Sequence, residues 1–487
     1  DAFRNCRAAK DFEIHALHGD QRVEEQDHAL APSSRPRIIV ATNIAETSLT
    51  IPGVTQVIDS GLARKAAYDA RRGINTLLIE RISQASADQR AGRAGRTAPG
   101  SCIRLWCERD HRDRAAQERP EIERLDLSEL MLSLAALGAD TIDDMPWLSA
   151  PPPDHVARAR TLLLELGALT TKNDQITEKG RKLVQFPCHP RFANMMLTAE
   201  AYGCVPFAAL VAALSQERSI LLPMKAKHQQ KARQDALGEE DSSDVLLEIR
   251  AWTYAAQADF RRDACEAAGI HGATAKRVGQ LHTQLLSAAR QARLDICDAP
   301  IDPPSAARCI LAGFSDHVGR RLGTGTRYAL VGGRRASLAP DSAVKKAEFI
   351  VATDINEIGR GQGDAEVRLA RVTAIEPAWI EEAFPQDIHE IDSVEYDSTL
   401  KRVSRVQQRC FRDLVLTEKR GGIPDPKRAA EILANEVLAG KLTLKAWDQT
   451  VEQMLARLDL IGTHCPEFGI PCADAAFRKA VIEAVCD

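Results

Sequence analysis

The sequence predicts a multidomain protein of mixed architecture. An α/β domain with a largely parallel sheet comes first, then helices, then a small β-rich barrel, then an α+β tail. Three observations predict it. The chain has 487 residues, past the ~250–300 at which one hydrophobic core stops growing, so about three to five domains are expected. Short β runs alternate with helical stretches over the first hundred residues. The pattern then changes near residues 109, 301 and 400. Apolar residues make up 44% and charged residues 27%, the balance of a soluble globular protein. No apolar run nears the ~20 residues that span a bilayer, and no signal-type segment opens the chain, so no membrane association and a cytoplasmic location are expected. None of the twelve cysteines forms a Cys-x-x-Cys pair, and they read as reduced thiols. The net charge of −4 does not by itself suggest a nucleic-acid binder.

In residues 1–108 the expected strands are Phe12–Leu17, Arg37–Ala41, Thr55–Ile58, Ile74–Ile79 and Ser101–Trp106. The run RIIVA holds three consecutive β-branched residues, as a buried parallel strand should. From 109 the pattern turns helical, with leucine periodicity in Leu125–Leu137 and Ala157–Leu166. Between Leu162 and Gly180 a helix ends at Gly167, a polar turn follows and Thr177 caps a second short helix, the outline of a winged-helix module. Phe192–Leu222 and Val245–Arg293 read as amphipathic helices of a bundle. After 301, β runs at Arg327–Val331, Ala347–Ala352 and Ala365–Thr373 are separated by glycine-rich turns, which suggests a small OB-like barrel. Residues 401–487 combine a basic strand-like segment with two helices. No internal repeat is present.

Three segments carry chemistry. In SADQRAGRAGR (Ser86–Arg96), Ser86 and Gln89 fit a capping box, so a helix is expected to start there. Gln89, Arg93 and Arg96 then fall at i, i+4 and i+7, on one face. Two guanidiniums and an amide suit a polyphosphate, and Gly92 and Gly95 leave that face open to close approach. The competing reading, a solvated arginine-rich helix, leaves the glycine spacing unexplained. ATNIAETSLT (Ala41–Thr50) follows a strand directly, and ligands of parallel sheets bind at the carboxyl ends of strands. Its hydroxyls and amides can meet phosphates, or simply cap a strand-to-helix turn. VIDSG (Val57–Gly61) is another strand exit, weak when taken alone.

In this order and spacing, ATNIAETSLTIPGV, VIDSGLAR and QRAGRAGR resemble the second RecA-like domain of DEAH-box helicases, a branch of superfamily 2. The stretch LGALTTKNDQITEKGRKLVQFPCHPRF resembles the winged helix and ratchet-type helices of that family, and ILAGFSDHVGRR its bacterial HrpB type. The resemblance covers nearly the whole chain and implies a second RecA-like domain over 1–108, a winged helix with linker over 109–185, a ratchet-type domain over 186–300, an OB-like domain over 301–400 and an HrpB-type region over 401–487. It implies an ATP-dependent RNA helicase with ATP and its Mg²⁺ as cofactors. Gln89, Arg93 and Arg96 would face the γ-phosphate, with Arg93 and Arg96 as arginine fingers. Thr42, Asn43, His18 and Gly19 would contact the nucleic-acid backbone, while Thr47 and Ser48 would couple that contact to the nucleotide. Arg90 is a weaker candidate. Pro52 stands where many members carry an acid.

No Gly-x-x-x-x-Gly-Lys-Ser/Thr loop and no Asp-Glu-x-His box occurs in the sequence. The expectation is therefore a fragment that holds half of a composite ATP site, is inactive alone, and partners its own first RecA-like domain. A non-catalytic RNA-binding module is the alternative. Lysine and arginine outnumber acids between Gly61 and Arg124, as a backbone-tracking groove requires. A second basic cluster, Lys401, Arg402, Arg405, Arg409 and Arg412, reads as a solvated face. Phe314, Tyr328, Phe349, Trp252, Tyr254 and Trp379 read as packing residues, so little base stacking or sequence specificity is expected. His189 and His271 have no companions at metal spacing, and no protein-bound metal is expected.

Overall fold

A computed structural model describes residues 7–18, 21, 23–47, 51–69, 74–139, 145–172, 174–224, 226–240, 242–297, 302–359, 366–398, 400, 402–422, 424–444, 447–469 and 473–486. The chain divides into two compact units, one of residues 1–328 with 334–374 and the other of 329–333 with 375–487.

The first unit opens with β1 (Glu13–Leu17), α1 (Val23–Leu30), β2 (Arg37–Ala41), α2 (Ile44–Thr47) and β3 (Gln56–Asp59). Next come β4 (Leu62–Asp69), β5 (Ile74–Arg81), α3 (Gln84–Ala91), β6 (Ser101–Arg104) and α4 (Glu108–Arg112). β1 runs parallel to β2, with Leu17 opposite Ala41, and β3 runs parallel to β6. The strand expected at Ile74–Ile79 is present but leaves the parallel pairs of this domain. It is β5, which pairs antiparallel with β4 from Ile74–Asp69 to Arg81–Leu62. No pattern in the sequence marked LARKAAYD (β4), with its paired basic residues, as a strand.

Helices follow: α5 (Ser128–Ala136), α6 (Pro153–Glu165), α7 (Glu178–Leu183), α8 (Pro190–Ala201), α9 (Val205–Ser215), α10 (Lys227–Leu237), α11 (Asp244–Gln257), α12 (Arg262–Ala267), α13 (Gly272–Gln291) and α14 (Pro303–Gly313). Thr177 caps α7: its Oγ1 accepts from the Gly180 amide at 2.9 Å and donates to the Gly167 carbonyl at 2.7 Å. The two long helical runs are divided at Gly203 and after Gln257, where Gly203, Asp259 and Phe260 take positive φ. α9 is apolar along its length and lies at the centre of the core, with Val205 and Phe207 to Leu214 all buried. His189 and His271 are helix caps, accepting from the amides of Arg191 and Thr274.

β7 (Val318–Arg321), β8 (Arg327–Leu330), β9 (Arg335–Leu338), β10 (Phe349–Gly359) and β11 (Glu366–Ile375) lie in the order β11-β9-β8-β7-β10, and a β11–β10 pairing closes the ring. Phe314, Tyr328 and Phe349 are buried there, and the Tyr328 hydroxyl donates to the Ala347 carbonyl at 2.7 Å. The far end of β10, Asn356–Gly359, runs parallel to β5, so the β4–β5 hairpin extends this sheet.

The second unit holds α15 (Pro377–Ala383), an antiparallel sheet of β12 (Ile388–Asp397), β13 (Arg402–Phe411) and β14 (Leu414–Arg420), and three helices, α16 (Pro426–Leu438), α17 (Gln449–His464) and α18 (Ala475–Cys486). Three helices replace the two expected. The sheet begins at 388, before the limit read at 400. Of the second basic cluster, Arg405, Arg409 and Arg412 are engaged by Asp392, Glu381 and Asp387, and Lys401 lies outside the described residues.

Candidate ATP and nucleic-acid site

The carboxyl ends of β1, β2 and β3 open on a cleft of about 1100 Å³. His18, Thr42, Asn43, Glu46, Asp59, Arg90, Arg93 and Arg96 all line it. The register of β1 against β2 sets His18 beside Thr42, and the Thr42 amide donates to the Leu17 carbonyl at 3.1 Å. Thr42 and Asn43 are exposed, and their carbonyls accept from the amides of Ala45 and Glu46 to start α2.

α3 starts three residues earlier than expected. Ser83, not Ser86, is the cap, its hydroxyl accepting from the Ser86 amide at 3.1 Å. The helix ends at Ala91, and Gly92–Gly95 continue as i→i+3 turns. The i, i+4, i+7 face is therefore not kept. Arg93 and Arg96 reach the cleft from beyond the helix, whereas Gln89 is exposed and is not part of the cleft lining. Gly95 has room for a methyl group within this chain, whereas a Cβ on Gly92 would stand a tight 3.3 Å from the Asp88 carbonyl oxygen. Two other glycines have none. A Cβ on Gly61, at φ +70°, would stand 2.6 Å from the Arg114 guanidinium and 2.7 Å from the Trp106 ring. On Gly100 it would stand 2.2 Å from the Ala94 carbonyl.

Glu46 joins the motifs. Its carboxylate accepts from the Ser86 hydroxyl at 2.7 Å and from Arg90 Nε at 2.9 Å. Arg90 Nη1 also donates to Asp59 Oδ1 at 3.0 Å, and the same oxygen accepts from the Gly61 amide at 2.9 Å. The Glu46 carbonyl accepts from Arg93, at 2.9 Å from Nε and also from Nη2. Burial, then the charge of Arg96, lower the Arg93 pKa, while the Glu46 carboxylate acts the other way. The wall thus carries two carboxylates engaged by Arg90, and cations at Arg93 and Arg96. That suits a polyanion, and the Mg²⁺ ligands are expected elsewhere. In the sequence Arg90 ranks low and Glu46 carries no signal, because the partners of Arg90, Glu46 and Asp59, lie 44 and 31 residues away along the chain. Thr47 ends α2, and Ser48 and Gly19 lie outside the described residues.

With this geometry in view, residues 2–98 match the family model of the helicase conserved C-terminal domain, and residues 189–267 match the ratchet-like helicase associated domain (HA2). Both models describe domains of helicases. The chain is 34% identical over 390 residues to the ATP-dependent RNA helicase HrpA homolog of Haemophilus influenzae, covering 76% of this chain and 29% of that protein. It is 29% identical over 483 residues to the ATP-dependent RNA helicase HrpB of Escherichia coli, covering 98% of this chain and 53% of that one. A crystal structure of the E. coli DExH-box NTPase HrpB superposes with a TM-score of 0.64 at 27% identity, over 97% of this chain and 53% of that one. Family models, relatives and solved structures together support a DEAH-box helicase of the HrpB type. The chain spans about half the length of HrpB and under a third of the HrpA homolog.

Proposed function

We propose that this chain serves an ATP-dependent RNA helicase, supplying the arginine-finger half of a composite ATP site and much of the RNA path. The observation that carries the reading is the joint made by Glu46. One four-residue helix connects Thr42 and Asn43, which face the cleft, to Arg90 through its side chain and to Arg93 through its carbonyl. Thr42, Asn43, His18 and Gly19 hold the nucleic-acid backbone. Arg93 and Arg96 stabilise charge on the transferring phosphoryl group, an effect worth ~10³–10⁵ in rate in related sites, with Thr47 and Ser48 completing the nucleotide contact. ATP supplies the phosphoryl group and carries the Mg²⁺, whose ligands this chain does not provide. The absence of a phosphate-binding loop and an Asp-Glu-x-His box from the sequence favours a chain that binds RNA but does not hydrolyse ATP alone. The ring of β7–β11 serves as the OB-like domain and α6–α7 as the winged helix.

Fluorescence anisotropy of a labelled single-stranded RNA with the 487-residue chain tests this. Binding should be insensitive to base sequence and fall steeply with salt, Asn43→Ala should weaken it several-fold, and no phosphate should be released from ATP. Absence of RNA binding, or hydrolysis by this chain alone, would overturn the reading.

A further inference from the structure

Cys204 is the N-cap residue of α9, and Cys309 lies in the middle of α14. Both are buried, at 6% and 0% exposure. Their Sγ atoms stand 3.2 Å apart, and either thiol can donate to the other. We propose that Cys204 and Cys309 form an oxidative modification site, a reversible disulfide that staples α14 to the start of α9. The two sulfurs need to approach by only about 1 Å to reach the ~2.05 Å of a disulfide bond. The separation argues against a shared metal, since sulfurs on a tetrahedral ion with bonds of ~2.3 Å stand about 3.8 Å apart. Among the described residues no group of three or more His, Cys, Asp or Glu side chains could hold an ion. Cys204, at the helix N-terminus and the less buried of the two, is taken as the sulfur that attacks first.

The co-reactant is a small peroxide. The Cys204 thiolate attacks one peroxide oxygen, the O–O bond breaks, and hydroxide leaves a sulfenic acid behind. The Cys309 sulfur then attacks the Cys204 sulfur, the S–S bond forms, the S–O bond breaks, and water departs with the Cys309 proton. Two thiols lose two protons and two electrons, and the peroxide becomes two waters. The staple would tie residues 105 apart in sequence and fix the helix that leads, through Phe314 and Asp316, into β7.

The test uses the 487-residue chain with and without hydrogen peroxide, followed by alkylation of remaining thiols, digestion and mass spectrometry. The expected result is a peptide pair joined through Cys204 and Cys309, lighter by two hydrogens and separated by dithiothreitol. The thermal midpoint should rise on oxidation in the wild type and not in Cys309→Ala. The exposed Cys107 and Cys297 report that the oxidant was active. Alkylation of both Cys204 and Cys309 after such treatment, or cross-links that omit this pair, would overturn the proposal. The wild-type peptide map decides the matter even if a variant fails to fold.

Discussion

Arg90 shows how one side chain can tie the elements around a cleft together. Its guanidinium neutralises Asp59, which is 4% exposed, and bridges it to Glu46 on the neighbouring element. Removing one member of a buried pair leaves the other charge desolvated and alone, which costs about 3 kcal/mol or more. Arg90→Ala is therefore expected to lower the urea midpoint clearly, whereas Arg96→Ala, at an exposed position, should leave it within experimental scatter. Equal midpoints for wild type and Arg90→Ala would show that the joint is not structural. This division of labour was only partly legible in the sequence. The arginine spacing announced a polyanion site, but which arginine points outward depends on where α3 ends. That end is set by the Ser83 cap and the turns at Gly92–Gly95, not by the helical periodicity from Gln89 to Arg96.

Among the elements, α7 and the turn before it are read most directly from residues. Thr177 spends its hydroxyl twice, on the Gly180 amide and the Gly167 carbonyl. Thr177→Ala should cost about 1 kcal/mol, as loss of an N-cap does. Gly180→Ala should cost more, because a Cβ there would meet the Ala168 carbonyl at 2.3 Å and Ile176 Cγ1 at 2.7 Å. Urea unfolding of the two variants checks the order, and a milder Gly180→Ala would contradict it. Elements whose cues are local were legible: RIIVA forms β2 over the bounds read from its β-branched run, and Thr177 caps as placed. Elements defined by distant partners were not. β5 was visible as apolar, yet its neighbours β4 and β10 lie across a hairpin and some 280 residues along the chain, and no periodicity encodes such pairing. The four-residue β7 and β9 escaped for the same reason: they pair with β10 and β11, some 30 residues along the chain.

At the scale of the whole molecule, the first unit is pinned by a buried charge cluster. Asp316 accepts from Arg191 at 2.5 and 2.8 Å and from Arg158 at 2.6 Å, which joins α6 and α8 to the segment leading into β7. Burial alone would raise the Asp316 pKa, but the neighbouring arginines, Arg191 foremost, and His317 hold it well below the carboxylate range. His317, also buried, is held down to about 3 by burial, with Arg191 and Arg334 adding to the effect against the pull of Asp316. Both shifts act with one sign. His317 stays neutral in the folded chain while the unfolded chain takes up a proton near pH 6.5, so stability falls between about pH 6.5 and 3. Asp316 contributes stability above pH 3.8 that is lost as the pH drops toward its depressed pKa. The thermal midpoint should therefore decline from pH 7 to 4, and His317→Gln should flatten the upper part of that decline. A midpoint rising with acid would reverse the assignment.

The central claim is that Arg93 and Arg96 complete an ATP site whose other half lies outside this chain. It is tested most directly by RNA-stimulated phosphate release from the full-length protein, wild type against Arg96→Ala, with RNA affinity measured alongside. The account predicts that hydrolysis falls at least ~10³-fold, in line with the loss of an arginine finger, while RNA affinity stays within a factor of two or so. Hydrolysis that survives the change undiminished would contradict it.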